Sequence, residues 1–324
     1  MTKNRRHKIN SNMTLSKWIF FAATCGVVFA LYFMFCVVPI LQSVKMSFYK
    51  WGGYKTKTYI QWKNYADVLK DRVFWKALKN DLIITLIKEI LICSLTVLFA
   101  VTLTRFRMKT PEVVLYKFVF YIPNVISTII IGSLWGFVFM PSGMGLMNSI
   151  CSIFKSGVDV AWVTKYPLGV IGFVASWCGV GLFMLTMIAS IHQIPGELYE
   201  AAKIDGASET RICFQIVLPL CVPVLATLAF NFFVNQWNSW TTTMIYITSP
   251  RLYSLQYLLQ KILAEAEFLK QMADMGTISE NTELMPTDSL TYAMAMVAAG
   301  PVLVVFPLFQ KYFVKGMTIG SVKG

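Results

Sequence analysis

Six stretches of the chain are apolar enough and long enough to cross a lipid bilayer: 17–41, 80–104, 113–140, 167–190, 219–247 and 290–313. A hydrocarbon core of roughly 30 Å needs about 20 apolar residues in a helix. Lipid offers no water to a backbone N–H or C=O, so a spanning segment must be a helix or part of a closed barrel. Barrel strands would show about ten residues of alternating polarity, and the sequence has no such run. The expected fold is therefore an all-α polytopic membrane protein with six transmembrane helices. Composition agrees: 56% of residues are hydrophobic and 14% charged, against about 25% charged in a soluble domain. The first stretch follows Arg5, Arg6 and Lys8, as a signal peptide would. It exceeds a signal h-region of about 7–15 residues and has no small-x-small cleavage pattern after it, so it is read as a retained helix.

The formal net charge is +13. In a chain of this hydrophobicity, the excess suits anionic lipid headgroups, and no nucleic-acid partner is expected, because Arg-Gly-rich runs and aromatic–basic interleaving are absent. The seven cysteines contain no CxxC pair, and the two histidines, His7 and His192, stand far apart. No disulfide framework, metal site or catalytic constellation is expected. A tail at 1–16 rich in Lys and Arg places the N-terminus in the cytoplasm by the positive-inside rule. With six spans the tail at 314–324 lies on the same side. The loop at 42–79 is also basic, so total loop charge does not separate the two sides and the first span decides. The loops 42–79, 141–166 and 248–289 are then external. The aromatic residues of the first read as an interfacial belt. The third is long enough for a short helix around 253–272 and for an external partner.

Between the fourth and fifth spans, residues 191–219 form a polar segment. His192-Gln193-Ile194-Pro195-Gly196 breaks the fourth helix, Glu197 to Ile204 reads as a short helix, and Gly206 allows a turn. Ser208, with Arg211 three residues on, reads as the cap of a second short helix ending at Pro219. Leu198, Tyr199, Ala201, Ala202 and Ile204 would need another surface to pack against. Acidic residues here (Glu197, Glu200, Asp205, Glu209) outnumber basic ones, which disfavours anionic lipid and favours a protein groove. A polar segment of this kind between two membrane spans points to a soluble partner that grips it.

Its pattern is Glu200-Ala201-Ala202, three residues, Gly206, nine residues, Ile216, one residue, Leu218-Pro219. That spacing, with Asp205 before the glycine, resembles the EAA loop of ABC importer permeases at every position. Phe120-Tyr121-Ile122-Pro123-Asn124, Leu134-Trp135-Gly136-Phe137, Gly145-Leu146-Met147-Asn148 and Ile194-Pro195-Gly196-Glu197-Leu198-Tyr199 extend the resemblance to carbohydrate permeases of the maltose type over nearly the whole chain. The ending Lys315–Gly324 is similar to the second permease of such pairs, and the Phe-Tyr-Ile-Pro-Asn and Gly-Leu-Met-Asn runs to the first.

The resemblance implies a type I importer permease in a bacterial plasma membrane. Its loop would seat in a cleft of a cytoplasmic ATPase dimer, beside a second permease and beneath an external solute-binding protein. ATP and Mg²⁺ would belong to the ATPase: no GxxxxGK[ST] sequence occurs here, so no cofactor is expected in this chain.

A carbohydrate needs polar and aromatic groups along its path. The fifth span carries Asn231, Asn235 and Asn238 at spacings of four and three, which share one helical face, together with Trp237. Carboxamides are costly against lipid and should point inward, either towards a pore or as glue between helices. By resemblance, Asn235 and Asn238 match sugar-contacting positions, as do Trp177, Cys178, Gly179 and Leu182 in the fourth span. Lys88-Glu89 lies inside the second span. Lys88 would sit about seven residues, or roughly 10 Å, from the span's outer start, within snorkelling reach; a subunit-interface role is the other reading. Alternatives to a carbohydrate cargo are a phosphorylated polyol or a peptide. An ATP-independent ion-coupled carrier would rest on Lys88-Glu89 alone.

Overall fold

A computed structural model of the protein describes residues 15–51, 57–105, 108–141, 144–155, 157–275 and 288–321. The chain opens with α1 (Leu15–Tyr32), a π-helical turn (Phe33–Val37) and α2 (Val38–Met46), which together form one span. A two-residue ribbon, β1 (Tyr49–Lys50) antiparallel to β2 (Thr58–Tyr59), pairs Tyr49 with Tyr59 and leads to α3 (Lys63–Lys70). Then come α4 (Arg72–Arg105), α5 (Thr110–Val125), α6 (Thr128–Val138), α7 (Leu146–Phe154), α8 (Trp162–Lys165) and α9 (Pro167–Ile191). The polar segment holds α10 (Gly196–Ile204) and α11 (Glu209–Ile212). The last elements are α12 (Leu218–Trp237), α13 (Thr241–Tyr246), α14 (Leu255–Asp274) and α15 (Asp288–Ser321).

Five helical stretches are long and apolar enough to cross a bilayer, and the pair α5–α6 makes a sixth. The third span, expected as one helix over 113–140, is instead bent by 104° between Val125 and Thr128. Pro123 sits near the end of α5, and Ile126 and Ser127 are extended. Proline removes one backbone donor and its ring crowds the carbonyl four residues back, so the helix ends soon after it.

Two other prolines are absorbed without a break. Before Pro39, the N–H of Val38 donates to the carbonyl of Phe33, and before Pro219 the N–H of Leu218 donates to that of Cys213. Each is a wide five-residue turn of the π type, which opens the helix where the proline ring would crowd it. The second corrects an expectation: the short helix of the polar segment does not stop at Pro219 but runs into the fifth span, continuous over Glu209–Trp237. That span ends at Trp237, and α13 is separate from it. At the other end of the chain, residues expected as a tail from 314 continue α15 to Ser321.

The centre of the bundle is α9, packed most extensively against α4 and also against α5 and α12. Its glycines explain the approach. A Cβ on Gly172 would strike Ile87, one on Gly179 would strike Ile92 and Phe232, and one on Gly181 would overlap the Phe120 carbonyl and the Tyr121 backbone. Small residues let helix backbones close together where lipid removes the usual hydrophobic drive.

The bundle is capped at one end by a second cluster. Phe48, Trp62 and Tyr65 pack on one another edge-on or tilted with ring centroids 4.9–5.5 Å apart, so these aromatics, expected in an interfacial belt, build a folded cap. Asn64 ties that cap together by donating to the carbonyls of Ser47 (2.7 Å) and Tyr49 (2.9 Å).

Gly181→Val should push α5 away from α9. Overpacking of this kind costs about 1–3 kcal/mol, read as a lower thermal unfolding temperature of the detergent-solubilised protein. Gly26→Ala is the control, since a methyl there meets nothing within 4 Å; an equal loss in both variants would refute the close-approach account.

Candidate functional site

The break between α5 and α6 opens onto a cavity of about 350 Å³. Its wall comes from the break itself (Pro123, Asn124, Ile126, Thr128), from α9 (Val174, Ala175, Cys178, Gly179), from α4 (Lys88) and from Asn235, Thr242 and Tyr246. Irregular backbone at membrane depth is tolerated where it lines a cavity or is buried in protein, and this break meets that condition. Asn124 donates to the carbonyl of Cys178 at 3.4 Å, bridging the broken span to α9.

Lys88 neither snorkels nor reaches an outer face. The helix carrying it begins at Arg72 rather than near residue 80, so the lysine lies about 24 Å along it. It is 7% exposed, and its ammonium donates to the Gln236 carboxamide and lies over the Phe232 ring, 4.7 Å from the centroid. Gln236 is 3% exposed and Asp81, two turns before Lys88, is fully buried. The Asp81 carboxylate lies near Gln236, Lys88 and the backbone of Leu255 without closing a hydrogen bond. One buried polar seam thus runs from α4 to α12, and sequence reasoning missed two of its members. It weighed Lys88 only as a snorkelling or interface residue beside Glu89, whereas residues seven apart, such as Asp81 and Lys88, share a helical face. The broken third span was a further available signal: interrupted membrane helices mark binding sites in transporters, and Pro123-Asn124 stands in the sequence.

The expected path residues separate. Cys178, Gly179 and Asn235 meet in the cavity wall. Asn235 also donates to the carbonyl of Asn231 at 2.8 Å; Asn231 is itself exposed and off that wall. Asn238 lines a different hollow, with Trp237, Gln256 and Ala298, so the three asparagines do not face one chamber. Trp237 is a core residue: it is 1% exposed, stacks on Phe233 and donates its indole N–H to the Ala298 carbonyl at 3.1 Å. Trp177 packs edge-on against Trp135, and Leu182 points away from the cavity at 45% exposure.

At the opposite end of the bundle the polar segment has a defined geometry. Helix α10 ends in a Schellman turn: Ala207 N–H donates to the Ala202 carbonyl at 2.9 Å and Gly206 N–H to the Lys203 carbonyl at 3.0 Å. Gly206 has φ +76°, the left-handed conformation that glycine adopts without strain at this position. Ser208 then caps α11 by accepting from Arg211 N–H, and Lys203 bridges the turn to Glu209 at 2.9 Å.

The expected packing face is divided. Tyr199, Ala202, Ile212, Ile216 and Leu218 pack on α4 and α9 of the same chain, beside Leu103, Met187 and Ile191. Leu198, Ala201 and Ile204 are exposed, as are Glu200, Asp205, Gly206 and Pro219. Half of the apolar surface therefore holds the segment to the bundle, and half is left over at its outer side.

A bundle with a broken span over a cavity, and an ordered polar turn between two spans, sets the context for comparison with known proteins. Residues 95–319, more than half of the chain, match the family described as "Binding-protein-dependent transport system inner membrane component". The chain belongs to that family. Among its relatives is the "Polygalacturonan/rhamnogalacturonan transport system permease protein YtcP" of Bacillus subtilis (strain 168), 26% identical over 299 residues that cover 90% of this permease and 94% of that one. The "Diacetylchitobiose uptake system permease protein NgcF" of Streptomyces coelicolor is 29% identical, over 66% of this chain and 63% of its own. In fold, the permease matches a chain of a bacterial alginate ABC transporter crystallised with an alginate pentasaccharide-bound periplasmic protein. The TM-score is 0.68 at 18% identity, over 91% of this chain and 93% of that one. The architecture is that of a type I ABC importer permease, and the relatives are transporter subunits rather than enzymes.

Gln236→Leu should remove the hydrogen-bond acceptor of the buried Lys88 ammonium and lower stability by about 1–3 kcal/mol. Pairing it with Lys88→Met should recover part of that loss in a thermal-unfolding double-mutant cycle. Strict additivity would show that the two side chains do not interact.

Proposed function

We propose that the permease forms half of an ATP-driven importer for oligosaccharides. In this reading a second, homologous permease completes the pathway, an external solute-binding protein delivers cargo, and an ATPase dimer on the cytoplasmic side holds Glu200–Pro219. The termini then lie in the cytoplasm of a bacterial cell. ATP and Mg²⁺ act in the ATPase and not in this chain.

The observation that carries the proposal is the polar segment. Its turn is fixed by Gly206 and its inner face is anchored on α4 and α9, while Leu198, Ala201 and Ile204 stay uncovered beside Glu200 and Asp205. An exposed apolar strip edged with acids suits a protein cleft better than an anionic lipid surface. Because α11 is continuous with α12, a pull on the segment would act directly on the helix that carries Asn235 to the cavity. Closure of the ATPase dimer would thereby shift access to the cavity from one side of the membrane to the other. Carbohydrate as cargo is supported by the saccharides for which the relatives are named and by the neutral donors and acceptors of Asn124, Thr128, Asn235 and Thr242 on the cavity wall.

Purification of the tagged permease from its native cells in mild detergent tests this reading. Wild type should bring down a second permease and an ATPase. Gly206→Asp, which places a side chain where φ is positive and adds charge at the turn, should lose the ATPase but keep the second permease. Retention of the ATPase by the variant, or ATP-independent solute uptake by the chain alone, would overturn the proposal.

A further inference from the structure

The cavity wall carries one charged group among the described residues, the Lys88 ammonium. A cation in a membrane span is costly and usually serves a function. Its fixed partners are neutral: the Gln236 carboxamide and the Phe232 ring. Asp81 and Glu89 on its own helix, and the Cys178 thiol on α9, are the titratable groups around it, yet Lys88 makes no ion pair among the described residues. An ammonium has three donors, and the Gln236 bond uses one.

A second source of positive potential stands in the same wall. Helix α6 begins at Thr128, and its N-cap, Ser127, makes no side-chain capping bond. The first N–H groups of a helix lack intrahelical partners and carry the positive end of its dipole. The remaining wall is uncharged, with hydrogen-bonding groups on Asn124, Thr128, Asn235, Thr242 and Tyr246 set among apolar residues such as Ile126, Ile131 and Val174.

We infer that the cavity takes an acidic saccharide, a carbohydrate bearing a carboxylate, and that Lys88 is the residue that reads its charge. This inference rests on the carbohydrate-importer reading and specifies its substrate class. Sugar hydroxyls match the carboxamides and hydroxyls of the wall, and a carboxylate matches the lysine. A phosphate monoester fits less well. It carries a charge of about −1.5 to −2 near neutral pH, and a single ammonium with one donor already committed would leave part of that charge uncompensated in a dry site. No arginine lines the cavity to form the bidentate contact that phosphate favours.

The test is equilibrium binding to the assembled membrane complex in nanodiscs, without the solute-binding protein, so that selectivity belongs to the permease. The probes are trigalacturonate, its fully methyl-esterified form, maltotriose and glucose 6-phosphate. A charge-assisted hydrogen bond predicts that wild type binds trigalacturonate about tenfold or more tighter than the ester. Lys88→Met should abolish that difference, and Lys88→Arg should retain most of it. The acid-to-ester ratio in wild type needs no variant, so a folding defect in Lys88→Met leaves the test intact. Equal binding of acid and ester by wild type would overturn the inference, as would an undiminished acid-to-ester ratio in Lys88→Met. Tighter binding of glucose 6-phosphate than of trigalacturonate would make this a phosphate site. If the complex assembles with its ATPase but binds no acidic probe, the acidic-saccharide inference fails and the importer reading stands. If no complex forms, the importer reading itself fails.

Discussion

The bundle depends on how closely its helices can approach α9. In lipid, apolar side chains gain little by leaving one hydrocarbon environment for another, so helices associate through van der Waals contact and a few polar bonds. Gly172, Gly179 and Gly181 remove the side chains that would hold α4, α5 and α12 at a distance. The consequence reaches the cavity: Gly179 lines it, Gly181 lies against the last turns of α5 before the break, and Gly172 brings in α4 at Ile87, the residue before Lys88. Close packing of α9 therefore sets where the broken span, the lysine and Asn235 meet.

Proline has two outcomes here: Pro223, Pro301 and Pro307, like Pro39 and Pro219, lie in continuous helices, whereas Pro123 stands just before a break. At Pro39 and Pro219 a π-type turn just upstream widens the helix and keeps it continuous. At Pro123 no such turn precedes the ring, and α5 stops within two residues. The continuous case links the polar segment to the fifth span as a rigid rod. The interrupted case leaves backbone groups at membrane depth that need a polar neighbourhood, and the cavity supplies it.

The polar seam of Asp81, Lys88 and Gln236 gives the cavity its electrical character. The Lys88 side chain is held by a carboxamide and an aromatic face, and it makes no ion pair with a carboxylate among the described residues. A wall of this kind combines one cation with several neutral hydrogen-bonding groups, and it would discriminate among saccharides by charge as well as by shape. The cap of Phe48, Trp62 and Tyr65 is a separate packing unit, and none of the three lines this cavity.

The sequence by itself determined the membrane class, the approximate spans and the form of the Glu200–Pro219 segment, because each follows from local chemistry. Apolar length dictates a helix in lipid, and Gly206 permits the left-handed turn that ends α10. Helical spacing also placed Asn231, Asn235 and Asn238 on one face. It could not say what covers that face, and only Asn235 reaches the cavity beside the α5–α6 break; Trp237, one residue before Asn238, is a core residue whose indole proton Ala298 of α15 accepts. Lys88 likewise looked near a span's end until the true start of α4 at Arg72 placed it deep. Which side chains meet across helices was decided by tertiary structure alone, since a helix fixes the direction of its side chains but not the neighbour standing opposite them.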